Sequence, residues 1–235
     1  EKSFFEVWSN DDLQSQYNHF DFYPYNKDLE EEPKGLYNLY KGISPHIHTP
    51  YDINKRDLIT KPFFDLLDIL SNHDPKVYKY LFNYFTCMIK TPRNRPPVIP
   101  ILTGSQSIGK GCLLSAIKNL LGDGLYIASS NIKDFIGDHA EGFYKKLFVN
   151  LNESEGRDMF NNLGRIKEFV TEPTLVVNPK HLRPFKISNF AFMVVNSNSD
   201  NPFVLDVNTK ERRVMLQKGG EDWIDKPKSF WGGLH

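Results

Sequence analysis

Apolar residues along the 235-residue chain follow two different periods, divided near residue 97. Between residues 61 and 90 the spacing is helical: Phe63, Leu66, Leu67 and Leu70 form one stripe, and Val77, Leu81, Tyr84, Phe85 and Met88 form another. Asp74-Pro75 marks the start of the second helix. A short acceptor side chain caps free N–H groups there, and proline lacks only an N–H that needs no partner. Thr91-Pro92-Arg93-Asn94-Arg95-Pro96-Pro97 then breaks the period and reads as a hinge. Beyond it, apolar runs over 98–103, 125–128, 147–151 and 190–196 alternate with helical stretches. That alternation predicts an α/β domain with a mainly parallel central sheet. Pro100 falls inside the first run, where it cannot donate to a ladder, so a local bulge is expected there. Residues before 54, rich in aromatic, Asn and Pro residues, show no sustained period, and Glu30-Glu31-Glu32-Pro33 reads as a solvated loop. The expected organisation is an irregular, partly packed leading segment over 1–53, a small helical subdomain over 54–95, and the α/β domain over 96–235.

Composition narrows the function classes. Lys+Arg and Asp+Glu balance to zero net charge, so any affinity for nucleic acid must come from local patches rather than a basic tail. Cys87 and Cys112 lie far apart and fit no metal-ligand spacing, which points away from a disulfide framework or zinc module and toward a reducing, intracellular compartment. No apolar run approaches the ~20 residues that cross a bilayer, so no membrane partner is expected. Glu1 in place of a methionine suggests a piece of a longer polypeptide.

The densest chemical signal is Gly104-Ser105-Gln106-Ser107-Ile108-Gly109-Lys110, a P-loop pattern set between an apolar strand and the helical run that begins at Cys112. Glycines let backbone N–H groups turn inward around phosphate oxygens, the following helix presents its positive end, and Lys110 supplies a cation for the β and γ phosphates of ATP. One departure is Gly111, which stands where a serine or threonine hydroxyl usually reaches Mg2+, and Cys112 is a poor substitute. Ser115, one turn later, or an acidic strand end acting through water are the alternatives.

Two further strands end in polar residues. Leu147-Phe148-Val149-Asn150-Leu151-Asn152-Glu153 has the layout of a Walker B strand, whose carboxyl end lies beside the P-loop. Glu153 would polarise the attacking water while Asn152 orients the metal's water shell, and Glu155 is the rival carboxylate. Phe190-Ala191-Phe192-Met193-Val194-Val195-Asn196-Ser197-Asn198 ends in amides suited to sit between the γ-phosphate and the base. Glu211-Arg212-Arg213 follows, and either arginine is a candidate finger that neutralises charge in the phosphoryl-transfer transition state.

This order of motifs, from Tyr17 to Gln217, resembles the superfamily 3 helicases of the AAA+ class. Within that class it is most similar to the poxvirus-type primase-helicases and their relatives in large DNA viruses, phages and plasmids. The resemblance rests on Asn18-His19-Phe20, Tyr37-Asn38-Leu39-Tyr40-Lys41-Gly42, Gly104 to Lys110, Asn152-Glu153, Ile166-Lys167-Glu168-Phe169-Val170-Thr171, Ser197-Asn198 and Glu211-Arg212-Arg213. It implies that Glu153 activates water, that Asn198 is the sensor, and that Arg212 or Arg213 acts on a neighbour's nucleotide in a hexameric ring. It also implies that Lys180, flanked by His181 and Arg183, sits on a hairpin gripping single-stranded or forked DNA, and that a primase-polymerase is fused or associated. Phosphate contacts alone would suffice for that grip, because backbone electrostatics dominate non-specific binding. Two other classes remain open: an ATP-gated DNA-binding or loading module that barely hydrolyses, and a P-loop kinase acting on a small molecule.

Overall fold

The computed structural model describes residues 16–43, 52–136, 142–152, 162–178, 183–198 and 214–219. The leading segment contains two short strands, β1 (His19–Asp21) and β2 (Leu36–Asn38), paired in parallel. Phe22 and Tyr40 just beyond them are buried in the main core, so this segment is partly packed and not wholly irregular.

Helix α1 (Arg56–Leu70) begins five residues before residue 61, where the helical spacing becomes legible, and runs through Pro62. Its Leu66, Leu67 and Leu70 are fully buried, and packing of that stripe outweighs the one backbone hydrogen bond a mid-helix proline forfeits. Helix α2 (Pro75–Lys90) begins as expected, with the Asp74 side chain accepting from the N–H groups of Lys76 and Val77. Leu81, Tyr84, Phe85 and Met88 form its buried stripe.

The central sheet has five strands: β3 (Ile99–Thr103), β4 (Tyr126–Ser129), β5 (Phe148–Asn152), β8 (Phe192–Asn196) and β9 (Val214–Lys218). Their spatial order is β4-β5-β8-β3-β9, all parallel. Alternate residues of each strand feed two cores. Leu102, Phe148, Phe192 and Val194 pack with α1, α2 and helix α3 (Lys110–Leu121) on one face. Ile99, Ile101, Val149, Leu151, Met193 and Val195 pack on the other with helix α4 (Lys133–Ile136) and helix α5 (Leu163–Thr171). Burial on both faces is why these strands read as unbroken apolar runs. Between α5 and β8 lies an antiparallel hairpin, β6 (Thr174–Val177) and β7 (Phe185–Ser188). Among the described residues no helix is long and apolar enough to cross a membrane.

Pro100 does not produce a bulge, since β3 keeps one continuous register against β9 across all five residues. Thr103 O accepts from Gly219 N on the β9 side and Leu102 O accepts from Ser197 N on the β8 side. Pro100, of the same parity as Leu102, therefore turns its missing donor toward β8, where its ladder partner would be Met193 O. Tyr84 supplies what the proline lacks. Its hydroxyl donates to Met193 O at 2.8 Å and accepts from Met193 N at 3.1 Å. Burial pushes the Tyr84 phenol far above its usual range, so the proton needed for that donation stays in place.

Tyr84→Phe keeps the ring contacts with Phe192 and Phe85 but strands a buried N–H and a buried C=O in mid-sheet. A loss of roughly 1–3 kcal/mol is expected, read as a lower urea midpoint at unchanged slope. An unaltered midpoint would show that the hydroxyl does not complete the ladder.

Candidate nucleotide site

Residues 104–109 join the last residue of β3 to the first of α3. Gly104 has φ 131°, Ser107 φ 69° and Gly109 φ 90°, so three of six residues adopt backbone angles that L side chains avoid. At Gly104 the restriction is also spatial: a Cβ there would lie 2.5 Å from Ile108 Cδ1, and Ile108 is itself buried. The loop is thus bent back on an apolar anchor. Helix α3 opens on Gly109 with no side-chain cap and no acidic residue in its first turn, which leaves its positive end available to an anion. Lys110 is buried, and its Nζ donates to Gly104 O at 2.8 Å and Ser105 O at 3.0 Å across the loop.

Residues 106–112 wall a cavity of about 540 Å³, within the size range of small-molecule sites. Asn196 and Asn198 close its opposite side, so the cavity lies at the carboxyl ends of the adjacent strands β3 and β8. That is where ligands sit in open α/β sheets. Asn152 ends β5 level with Asn196, and Asn196 Nδ2 donates to Asn152 Oδ1 at 3.4 Å. Asn196 Oδ1 is buried and has no partner among the described residues. A buried amide oxygen left open beside a phosphate-sized cradle is suited to accept from a bound water.

The resemblance pointed to Asn198. Both amides border the cavity, Asn198 exposed and Asn196 the more enclosed, so Asn196 joins the candidates. Its signal in the sequence was its place as the last residue of the apolar run, directly opposite the end of the Asn152 strand.

The donor set for a metal is neutral. Gly111, Cys112 and Ser115 line the cavity, burial pushes the Cys112 thiol up so that it stays protonated, and Ser115 is exposed to it. No group of three or more acidic, His or Cys side chains that could hold a metal occurs among the described residues. The cradle fits a polyphosphate. The oxygens of Ser115 and Asn152 fit the water shell of a hard cation that the phosphates carry in. Glu153, Glu155, Lys180, His181, Arg212 and Arg213 lie outside the described residues. Arg183 is described, exposed, two residues before β7.

A larger cleft of about 690 Å³ opens in the leading segment between Tyr25, Tyr37, Tyr40 and Lys41. None of its lining comes from the glycine loop or the strand ends, so the chemistry favours the smaller cavity.

A family of unknown function, DUF5906, matches residues 102–213, which span the loop, β5, the hairpin and β8. The DNA primase-polymerase of Nitratiruptor phage NrS-1 is 29% identical over 164 residues, covering 65% of this chain and 22% of that protein. The apo structure of the NrS-1 C-terminal region, residues 305–718, aligns over 92% of this chain and 51% of its own with a TM-score of 0.72 at 22% identity. A second form of that region aligns over 98% of this chain and 55% of its own, with a TM-score of 0.71. This chain therefore spans about half of the solved region it resembles and less than a quarter of the curated relative, and it shares with that region a mixed α/β fold around a mainly parallel sheet.

Proposed function

We propose that the chain is the ATP-hydrolysing motor of a DNA helicase that serves replication of a virus or mobile element and works as a homo-oligomeric, hexameric ring. The observation that carries this reading is the juxtaposition at one end of the sheet: a glycine loop bent on Ile108, the buried Lys110, and Asn196, which lines the same cavity and is bonded to Asn152. It is the arrangement a P-loop NTPase of the AAA+ class requires. Backbone N–H groups and Lys110 would bind the phosphates, the open Asn196 Oδ1 would hold a water, and Glu153, one residue past Asn152, would take that water's proton. Asn152 and Ser115 would hold the water shell of an Mg2+ ion entering with the phosphates, which would supply charge neutralisation when bound. The phage relative, named a DNA primase-polymerase, supports a replication role and an associated primase-polymerase. Lys180, His181 and Arg183 would grip single-stranded or forked DNA from the β6–β7 hairpin.

A second reading has a specific observation in its favour. The described lining offers no carboxylate, and both Gly111 and Asn152 weaken the metal's hold. An ATP-gated DNA-binding or loading module would need no more. ATP turnover with and without single-stranded DNA separates the two readings. In the motor, Glu153→Gln binds ATP but hydrolyses it on the order of 100-fold more slowly. Should Glu155→Gln show that defect and Glu153→Gln show none, the base moves by two residues.

A further inference from the structure

Two arginines of the segment between α2 and β3 are held by different parts of the molecule. Arg93 pairs with the Glu30 carboxylate and lies 4.5 Å over the Tyr23 ring, which ties the segment to the leading residues. Arg95 is tied to the end of α5. Its Nη1 donates to Phe169 O at 3.2 Å and its Nη2 to Glu172 O at 3.3 Å. The same two carbonyls accept from Asn189 Nδ2, at 2.6 and 3.3 Å, and Asn189 N donates to Pro173 O. Asn189 directly follows β7, and Glu172-Pro173 directly precedes β6. The root of the β6–β7 hairpin is therefore knotted to Arg95 at both of its strands.

This knot is energetically expensive. The guanidinium is largely withdrawn from water, burial pulls its pKa down, its Nε is buried without a partner, and among the described residues it meets carbonyls and no carboxylate. The negative end of α5 offsets part of that cost, but a neutral side chain would avoid it altogether. A two-pronged donor is justified where two carbonyls must be held at a fixed spacing. Arg95 stands four residues before Ile99, where β3 begins, and β3 runs straight into the glycine loop and Lys110. The chain of contacts thus passes from the hairpin root through Phe169 O and Glu172 O to Arg95, and along β3 to the cavity.

We propose that Arg95 is a positioning residue that couples the β6–β7 hairpin to the nucleotide loop, so that a nucleic-acid strand engaged by the hairpin sets the rate of ATP turnover. The proposal rests on the motor reading above and adds to it the residue that transmits the signal. Adjacency alone does not establish such coupling, and a change in one site's response to the other does.

The test uses the full chain with Arg95→Met and Arg95→Lys, titrating ATP turnover with oligothymidylate to obtain the basal rate, the maximal stimulation and the half-saturating concentration. Arg95→Met should leave the basal rate and the half-saturating concentration unchanged while stimulation falls about fivefold or more, the low end of ordinary coupling between sites. Arg95→Lys, which keeps the charge but loses the fork, should fall between. If the Met variant does not fold, the Lys variant carries the test. Full stimulation in a folded variant overturns the coupling and leaves the motor reading intact. Loss of oligonucleotide affinity in parallel with stimulation also overturns it, because Arg95 would then only hold the hairpin together. A wild-type protein with normal basal turnover that oligothymidylate does not stimulate sinks the motor reading, and the coupling with it.

Discussion

Lys110→Ala should abolish ATP turnover and weaken nucleotide binding while leaving the fold intact. In the structure the ammonium is buried against Gly104 O and Ser105 O, inside the loop that would receive the β and γ phosphates. No other lysine or arginine side chain lines that cavity, so nothing else among the described residues takes over its charge. Loss of a single preorganised electrostatic donor typically slows catalysis on the order of 10²–10³-fold. Losing the one cation that the described residues bring to the phosphate cradle should cost at least that. The fold should persist because α3 is anchored elsewhere, through the buried Leu113, Leu114, Ile117 and Leu121. Turnover, calorimetric nucleotide titration and circular dichroism on the same preparation check the three parts. A folded variant that turns over like wild type would remove residues 104–110 from the chemistry.

The second large effect concerns assembly. Strand β9 opens at Val214, level with Ile99, at the edge of the sheet away from residue 104. Four residue steps along β3 amount to about 13 Å. Arg212 and Arg213 immediately precede Val214 in the sequence, and on the motor reading one of them would be an arginine finger that serves a neighbour's site. Such fingers contribute ~10³-fold or more to turnover. An Arg212→Ala, Arg213→Ala double variant and a Lys110→Ala variant should each be inactive alone. Mixed, they should regain a fraction of wild-type turnover, since some interfaces then combine an intact loop with an intact finger. Turnover strictly proportional to protein concentration, with no rescue on mixing, would mean that one chain holds a complete site.

Much of this architecture was legible in the sequence because its strands are covered on both faces. Residues 98–103, 147–151 and 190–196 read as apolar runs and appear as β3, β5 and β8 within one or two residues. The cap at Asp74 and the glycine loop were equally plain, since each rests on local backbone chemistry. What escaped notice was short or non-local. Strands β1 and β2 have three residues each, too few to show a period, and β9, Val-Met-Leu-Gln-Lys in sequence, turns polar halfway along. The first turn of α1 lies ahead of residue 61, where the apolar stripe begins, so the spacing did not show it. Pro100 seemed a defect because its remedy, the Tyr84 hydroxyl, reaches β8 across 109 residues of sequence separation. Arg95 was legible only as part of a proline-rich hinge, because the carbonyls that tie it to α5 lie more than 70 residues away. At the cavity, the resemblance drew attention to Asn198 and away from Asn196, whose unpartnered oxygen only the packing of β5 beside β8 makes visible.

On the motor reading, ATP turned over at residues 104–110 drives the separation of DNA strands. A forked DNA duplex with one labelled strand, incubated with the protein and ATP, tests it most directly. Strand release should require hydrolysable ATP, fail with a non-hydrolysable analogue, and vanish in Lys110→Ala. Tight, ATP-dependent binding of the fork without strand release, together with turnover indifferent to DNA, would contradict it and leave the chain an ATP-gated DNA-binding module.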